Sequence, residues 1–285
     1  MNAPSIDPWV NVSMGDHADV EFLKRVKEDY FKAGADFFRN IESDELIDMM
    51  DSLSVEKALV TVSGSEPSER VLRFTEDHPG RLFLAVVPDL SRGLRGVWDL
   101  EELSKQYPVA LARVAPFQLG LPPDDPLYYP MYVKCAEMAL PVGLNTGICG
   151  PPMPSECQHP KHLDALCHRF PELTIVMQHG ADPWWEYAIR LLIKYRNLFL
   201  MTSAYAPKHL PQTLLHYMRT RGKQKILFAS DHPVLTIERC LDEAQALDLD
   251  DEVFKDFLYG NAQRVLFGPR APRHGPFAID PFLTQ

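Results

Sequence analysis

The sequence lacks the features that mark secreted, membrane-embedded and disulfide-stabilised proteins. It has only five cysteines, an odd number with no Cys-x-x-Cys pair, so we expect free thiols. No apolar run approaches the roughly 20 residues that span a bilayer. No charged segment followed by an apolar run opens the chain, as a secretory signal would require. These absences predict a cytoplasmic protein that has no membrane as a partner.

The sequence also has few basic residues. Its 29 Lys and Arg are outnumbered by 39 Asp and Glu, which gives a formal net charge of -10. No basic stripe is present, and binding to phosphate backbones needs clustered Lys and Arg. Nucleic acid is therefore excluded as the expected partner. The remaining composition, 46% hydrophobic and 24% charged, is ordinary for a globular protein of 285 residues.

Short apolar runs alternate with segments of helical length along most of the chain. Near-continuous Val, Ile, Leu and Phe is typical of strands buried on both faces in a parallel sheet. Eight such alternations favour an α/β fold, the closed (β/α)₈ TIM barrel, over a doubly wound sheet. The eight predicted strands are Ile6–Val12, Ala58–Ser63, Leu82–Val87, Val109–Phe117, Val142–Asn145, Thr174–Gln178, Leu198–Ser203 and Ile226–Ser230.

The predicted barrel occupies residues 1–267 as one domain, and residues 268–285 form an extended C-terminal tail rich in proline. The apolar residues of this tail need cover, either on the barrel or on a neighbouring subunit. Between the first two strands, the amphipathic segment Glu21–Phe38 predicts one helix.

Polar side chains gather where the predicted strands end. In TIM barrels the functional site lies at the carboxyl ends of the strands. Chance would scatter polar residues over both ends, so their concentration at one end predicts a site there. The residues are Trp9 and Asn11 on the first strand, Arg113 on the fourth, Asn145 on the fifth, His179 after the sixth, Ser203 on the seventh and Asp231 after the eighth.

These strand ends also carry a family resemblance that covers nearly the whole chain. The most specific stretch is Pro141–Trp185, followed by LFASDHP at Leu227–Pro233 and GNAQRVL at Gly260–Leu266. The pattern resembles amidohydrolase family 2, the branch with aminocarboxymuconate-semialdehyde decarboxylase, resorcylate-type decarboxylases and pyrone-dicarboxylate lactonase. The resemblance implies a barrel with one or two divalent metals. It also implies that His-x-His on the first strand, a His on the sixth and an Asp on the eighth hold them.

The sequence departs from that metal-binding pattern at the first strand. The two His positions fall on Trp9 and Asn11, and a fifth-strand His used by some members falls on Asn145. Indole has only an N–H donor and cannot ligate a metal, and a neutral amide oxygen suits only hard ions. Of the implied ligands only His179 and Asp231 remain, short of the three protein ligands of a catalytic zinc site. We expect at most one divalent ion, with zinc as the preferred metal, no dinuclear centre and no nucleotide cofactor.

A second possible metal site follows the fifth strand, where Cys157, His159 and His162 form a Cys-x-His-x-x-His cluster. The competing interpretation is a plain helix start, which the neighbouring Pro160 and the amphipathic pattern of the following residues favour.

The candidate residues support a substrate pocket as well as a degenerate metal site. Without a metal, His179 and Asp231 are predicted to form a hydrogen-bonded pair that acts as general acid and base. Arg113 either holds a substrate carboxylate bidentately or forms a structural ion pair inside the barrel. The remaining candidates for substrate binding are Asn145, Trp9, Asn11 and Ser203.

Three functions follow from these residues. The first is a subunit that pairs with a metal-bearing related barrel, as a hetero-oligomer resembling isobutyrate hydroxylase, acting on a small carboxylate or aromatic acid. The second is a stand-alone hydrolase or decarboxylase of a small organic acid, metal-independent or mononuclear. The third is a small-molecule binding protein. The first two differ in whether the chain is active alone.

Overall fold

The structure, a computed structural model, describes residues 3–269 and contains one eight-stranded parallel sheet. Neighbouring strands in the sheet follow chain order from β1 to β8. The TIM barrel predicted from the sequence is confirmed. The strands are β1 Ser5–Val10, β2 Val55–Ser63, β3 Leu82–Val87, β4 Val109–Val114, β5 Val142–Asn145, β6 Ile175–Gln178, β7 Leu198–Met201 and β8 Ile226–Leu227.

The ring closes between β1 and the segment that follows β8. Val10 and His232 form a parallel bridge, and the Asn11 N–H donates to the His232 carbonyl at 2.8 Å. One residue before each bridge partner, the Asp231 N–H donates to the Trp9 carbonyl at 3.2 Å. This closure brings residues more than 200 positions apart in the sequence onto adjacent backbones at the carboxyl end of the barrel.

Helices cover the outside of the barrel. Their apolar faces pack on the outward-facing residues of the strands and form the largest buried cluster. The α-helices are α1 Glu21–Arg25, α2 Ser43–Leu53, α3 Glu69–Asp77, α4 Leu94–Gln106, α5 Tyr129–Glu137, α6 His162–Arg169, α7 Trp185–Lys194, α8 Gln212–Arg219, α9 Ile237–Gln245, α10 Asp251–Lys255 and α11 Asn261–Phe267.

The last of these helices, α11, closes the amino end of the barrel. Its Ala262 and Leu266 join the inner cluster formed by Ile6, Leu59 and other inward-facing strand residues. Phe267 packs edge-on against Phe83, next to the start of β3, with 4.6 Å between the ring centroids. The barrel interior is therefore filled from this end, and open space is left toward the carboxyl ends of the strands.

The single helix predicted over Glu21–Phe38 is wrong. The segment consists of α1, a π-helical turn Val26–Phe31 and a separate 3₁₀ turn Ala35–Phe38. Lys32 ends the π-helical turn in the left-handed conformation with φ of 50°. Leu23, Val26 and Phe31 line a cavity, whereas Phe37 is not among the cavity-lining residues and packs in a buried cluster, so the helical spacing of the apolar residues does not require an unbroken helix.

Two further predictions concern the ends of the chain and the membrane. Residues 270–285, which make up most of the predicted tail, lie outside the described residues, and the division into barrel and tail stays a prediction. No helix within residues 3–269 is long and apolar enough to cross a membrane.

Candidate active site

A cavity of about 340 Å³ opens at the carboxyl ends of the strands, a volume typical of small-molecule sites. Its wall is polar near the strands and apolar toward the mouth. The polar part includes Trp9, Asn11, Thr61, Arg113, Asn145, His179 and Asp231. The apolar part includes Met14, Leu23, Val26, Phe31, Phe117, Ile148 and Val234, many of them from the loops after β1 and β5. The cavity therefore suits a small ligand with one polar and one apolar side.

Trp9 is packed between a cation and an imidazole on the cavity floor. The Arg113 guanidinium carbon lies 3.3 Å from the centroid of the indole ring, a cation–π contact. The His179 ring centroid lies 4.1 Å from the indole. The indole N–H is buried and has no hydrogen-bond partner among residues 3–269. The Trp9 ring thus occupies the space between β4 and β6 and leaves one buried donor unpaired.

Arg113 is fully enclosed by the barrel. One of its terminal nitrogens donates to the Thr61 hydroxyl and the other donates to the Pro8 carbonyl at 3.0 Å, while its Nε has no partner. Burial lowers the pKa of Arg113 to about 9, against the attraction of Asp231 and Asp7. Among the ion pairs of residues 3–269, none within 4.0 Å involves Arg113. The structural ion pair considered from the sequence is thus not formed.

Asp231 follows β8 in a left-handed conformation with φ of 74°, which is uncommon for a non-glycine residue. Asn11 donates to its Oδ1 at 2.8 Å. Burial raises the pKa of Asp231 to about 8, although Asn11 and Arg113 act in the opposite direction. The carboxyl group is therefore mostly protonated at neutral pH and can donate a hydrogen bond or a proton.

His179 follows β6 and also has a positive φ, of 61°. Burial first, and the charge of Arg113 second, lower the pKa of His179 to about 3, so the imidazole is neutral. Its Nδ1 is buried without a partner. The predicted hydrogen bond to Asp231 is wrong, because no bond joins these two residues in the described part of the chain. They are separate groups on the wall of one cavity.

Ser203 does not contact the cavity, contrary to the prediction that it binds substrate. It is completely buried, and its hydroxyl accepts a hydrogen bond from the His179 backbone N–H at 3.1 Å. The strand-end position was identified from the sequence, but the side chain is turned toward the neighbouring strand. Ser203 thus fixes the backbone of His179 where its strained φ needs support.

Asn145 and Gln178 bring further unpaired polar atoms to the barrel interior. The Asn145 Oδ1 and both polar atoms of the Gln178 amide are buried and have no partner in the part of the chain that the structure describes. The two residues are register neighbours on β5 and β6. Buried polar groups are nearly always hydrogen-bonded in native proteins, to protein, water or ligand. Asn145 lines the same cavity as Trp9, Arg113 and His179, whereas Gln178 is not among the cavity-lining residues.

Gly143 makes room for the Gln178 side chain. A Cβ at position 143 would lie 2.0 Å from the Gln178 Nε2, and Gln178 cannot swing to solvent because it is fully buried. We expect Gly143→Ala to destabilise the fold by about 1–3 kcal/mol through overpacking, measured as a lower urea midpoint. Adding Gln178→Ala should restore most of the loss. Gly34→Ala, which meets nothing within 4 Å, is the matched control. An unchanged midpoint in Gly143→Ala would contradict this packing.

Two residues of the site escaped the sequence-based prediction. Thr61 lies between Arg113 and Asn11 on the cavity wall. Asp7 is completely buried below the cavity. Its carboxylate accepts a hydrogen bond from the Ser230 hydroxyl and from two backbone N–H groups, those of Ser230 and Trp9, each at 3.1 Å. Burial raises the pKa of Asp7 to about 6. The sequence signal that could have identified Asp7 is an acidic residue on a predicted buried strand.

Comparison with known proteins places this architecture in a family. A family profile for amidohydrolases, Amidohydro_2, matches residues 19–268. The chain belongs to the amidohydrolase family. The match begins after β1, so the strand that carries Trp9 is not part of it. A comparison of this amidohydrolase with curated proteins gave no significant match.

Solved structures share the fold of this amidohydrolase over almost its whole length. An uncharacterized TIM-barrel protein from Bordetella bronchiseptica has a TM-score of 0.76 at 18% identity, covering 94% of this chain and 99% of that one. A dihydroxybenzoic acid decarboxylase from Polaromonas sp. JS666, with bound manganese and the inhibitor 2-nitroresorcinol, has a TM-score of 0.67 at 16% identity and coverages of 95% and 98%. A probable 2-pyrone-4,6-dicarboxylic acid hydrolase from Acinetobacter baumannii, with citric acid bound, has a TM-score of 0.64 at 18% identity. The match covers 94% of this chain and 100% of that one.

The side chains of residues 3–269 of this amidohydrolase do not supply a complete set of metal ligands. Within residues 3–269, no group of three or more His, Cys, Asp or Glu side chains is placed to hold a metal ion. Around His179 and Asp231, the neighbouring positions hold the indole of Trp9, the amide of Asn11 and the cation of Arg113. A fixed guanidinium beside these groups opposes a second cation. The donor set therefore does not fit a catalytic metal.

His162 begins α6, whereas Cys157 lies in a preceding 3₁₀ turn, Glu156–Gln158, and within residues 3–269 the three side chains are not placed together to hold a metal ion. The His159 ring packs against Trp184 in a tilted arrangement with 4.2 Å between the ring centroids, and its Nδ1 accepts from the Lys161 N–H at 3.0 Å. His162, the first residue of α6, places its Nδ1 3.1 Å from an Asp124 carboxylate oxygen. The two imidazoles thus have separate partners.

Proposed function

We propose that this amidohydrolase is a metal-independent enzyme that hydrolyses a small cyclic organic acid by acid–base catalysis. The observation that carries the proposal is the pair of ionisable groups on the cavity wall with pKa values moved in opposite directions. The pKa of Asp231 is raised to about 8 and that of His179 is lowered to about 3, so a protonated acid and a neutral base coexist at neutral pH. Such separated pKa values are typical of assigned acid and base roles.

The cavity supports a carboxylate as the polar end of the substrate. Two buried donors, the Nε of Arg113 and the indole N–H of Trp9, have no protein partner. Charge-assisted bonds from a guanidinium to a carboxylate are among the strongest in proteins. The apolar mouth, with side chains such as Phe31 and Phe117, suits a flat ring. The decarboxylase and the hydrolase of similar structure are named for ring-bearing acids.

In the proposed reaction, water attacks the carbonyl carbon of a ring ester. His179 takes one proton from this water as the carbon–oxygen bond forms. Asp231 gives its proton to the ring oxygen as the old carbon–oxygen bond breaks, and the product is a ring-opened acid. A bound carboxylate offsets the field of Arg113, which is one of the causes that lower the pKa of His179, so substrate binding strengthens the base.

The purified chain tests this proposal with two probes. We expect hydrolysis of 2-pyrone-4,6-dicarboxylate, followed by its ultraviolet absorbance, to persist after dialysis against EDTA, with well below one metal per chain by mass spectrometry. Turnover of 2,6-dihydroxybenzoate instead, detected as released CO₂, would replace hydrolysis by decarboxylation at the same site. One bound metal per chain whose removal ends turnover would contradict the metal-independent mechanism and support the mononuclear site predicted from the sequence.

The incomplete ligand set also favours a second candidate, a subunit that works beside a metal-bearing relative. In that case the chain alone would turn over neither probe, and activity would appear only after co-expression with a related amidohydrolase that retains its metal ligands. Size-exclusion chromatography of the co-expressed chains would then give one mixed complex. Activity of the chain alone as a self-assembled or monomeric species would remove this candidate.

A further inference from the structure

A line of hydrogen-bonding side chains crosses the cavity wall from Arg113 to Asp231. Arg113 Nη1 on β4 donates to the Thr61 Oγ1 on β2. Thr61 lies 3.5 Å from the Asn11 Oδ1, the longest contact of the line. Asn11 Nδ2 donates to the Asp231 Oδ1 at 2.8 Å. Residues on β4 and β2 and in the segments that follow β1 and β8 thus connect the buried cation to the proposed acid.

The donors in this line all point the same way. A guanidinium can only donate, so the Thr61 oxygen must accept from Arg113. The hydroxyl hydrogen of Thr61 is then left for the Asn11 carbonyl oxygen. With its oxygen facing Thr61, the Asn11 amide turns its NH₂ toward Asp231. Hydrogen bonds arranged head to tail polarise one another in a low-dielectric interior.

We propose that Thr61 is a positioning residue that fixes which end of the Asn11 amide faces Asp231. An amide has nearly the same shape in its two orientations, so only its partners decide between them. Because Asn11 offers an N–H to Oδ1, the acid hydrogen of Asp231 stands on Oδ2. Thr61 thereby determines which oxygen of Asp231 delivers the proton to a ligand. This inference rests on the proposed acid role of Asp231.

Removal of the Thr61 hydroxyl tests this role without the need for turnover. The side-chain amide of Asn11 is identified in a ¹⁵N-asparagine spectrum as the signal lost in Asn11→Ala. We expect Thr61→Val to shift this signal and Thr61→Ser, which keeps the hydroxyl, to leave it in place. Thr75→Val is the matched control, because Thr75 is a buried threonine on α3 that donates to the Leu72 carbonyl. An unmoved signal in Thr61→Val would overturn the inference, whether or not the enzyme is active.

Kinetics on the probe that the wild type turns over supply the second readout. Loss of one directed hydrogen bond predicts a fall of kcat by about tenfold in Thr61→Val with KM unchanged. In an Asn11→Ala background the same change should have no further effect, because Thr61 acts through Asn11. Equal losses in both backgrounds, or a Thr61→Ser variant as slow as Thr61→Val, would contradict the role. An inactive wild type with the predicted shift would instead contradict only the proposed function.

Discussion

Asp231→Asn is expected to lower kcat by about 10²–10⁴ while the protein stays folded, because it removes the proton donor and keeps the shape. The carbonyl oxygen of the introduced amide can still accept from Asn11, which donates to Asp231 Oδ1 at 2.8 Å in the wild type. Steady-state turnover of the probe gives kcat and KM. Asp242→Asn, a change on the exposed face of α9, serves as the control. Full activity in Asp231→Asn would remove the acid role.

The pH dependence follows from the direction of the same shift. The pKa of Asp231 is raised from 3.8 to about 8, so the acid form is present below pH 8 and is lost above it. Activity should therefore fall as the pH rises through about 8. The folded chain holds this proton more tightly than the unfolded chain does. The contribution of Asp231 to the unfolding free energy should thus decrease from about pH 4 to pH 8, and the difference in unfolding free energy between wild type and Asp231→Asn should decrease over the same range in urea titrations.

Arg113→Met is expected to weaken carboxylate binding by about 100-fold, the effect of losing charge-assisted hydrogen bonds of about 2–3 kcal/mol in total. Calorimetry with benzoate measures the change, and benzamide, which has the same ring without the charge, should bind both proteins equally. Burial lowers the pKa of Arg113 to about 9, so burying this charge costs free energy. Removing the charge relieves that cost, which offsets lost contacts to Thr61 and Pro8.

Arg113→Lys separates the charge from the shape of the side chain. An ammonium cannot stack on Trp9 as the planar guanidinium does, so we expect Lys to recover only part of the affinity. The melting temperature of each variant shows whether the fold is retained. Equal affinity of wild type and Arg113→Met for benzoate would show that the carboxylate binds elsewhere.

The strands of the barrel could be predicted because each is buried on both faces. An uninterrupted apolar run such as Leu82–Val87 has the same appearance in the sequence and in the structure. The segment after β1 could not be predicted in this way. Its apolar residues, among them Leu23 and Val26, line a cavity, and the helix ends at Lys32, two residues before Gly34, which the amphipathic pattern runs through.

The candidate site was predictable as a location but not as a set of contacts. Its strand-end position identified Trp9, Asn11, Arg113, Asn145 and His179, which all line the cavity. The contact between Asp7 and Ser230 joins residues 223 positions apart. Such a pair depends on how the ring closes, and no local pattern records it. The direction of a strand-end side chain likewise depends on a contact with another strand end, as for Ser203, whose hydroxyl accepts from the His179 N–H.

The seal that α11 forms at the amino end of the barrel determines how molecules pass through the cavity. Small molecules must arrive and depart on the side where the strands end, past the segment that carries Leu23 and Phe31. Substrate entry and product exit then use the same opening of the cavity. A product that leaves slowly would block the next substrate, so product release would then limit kcat.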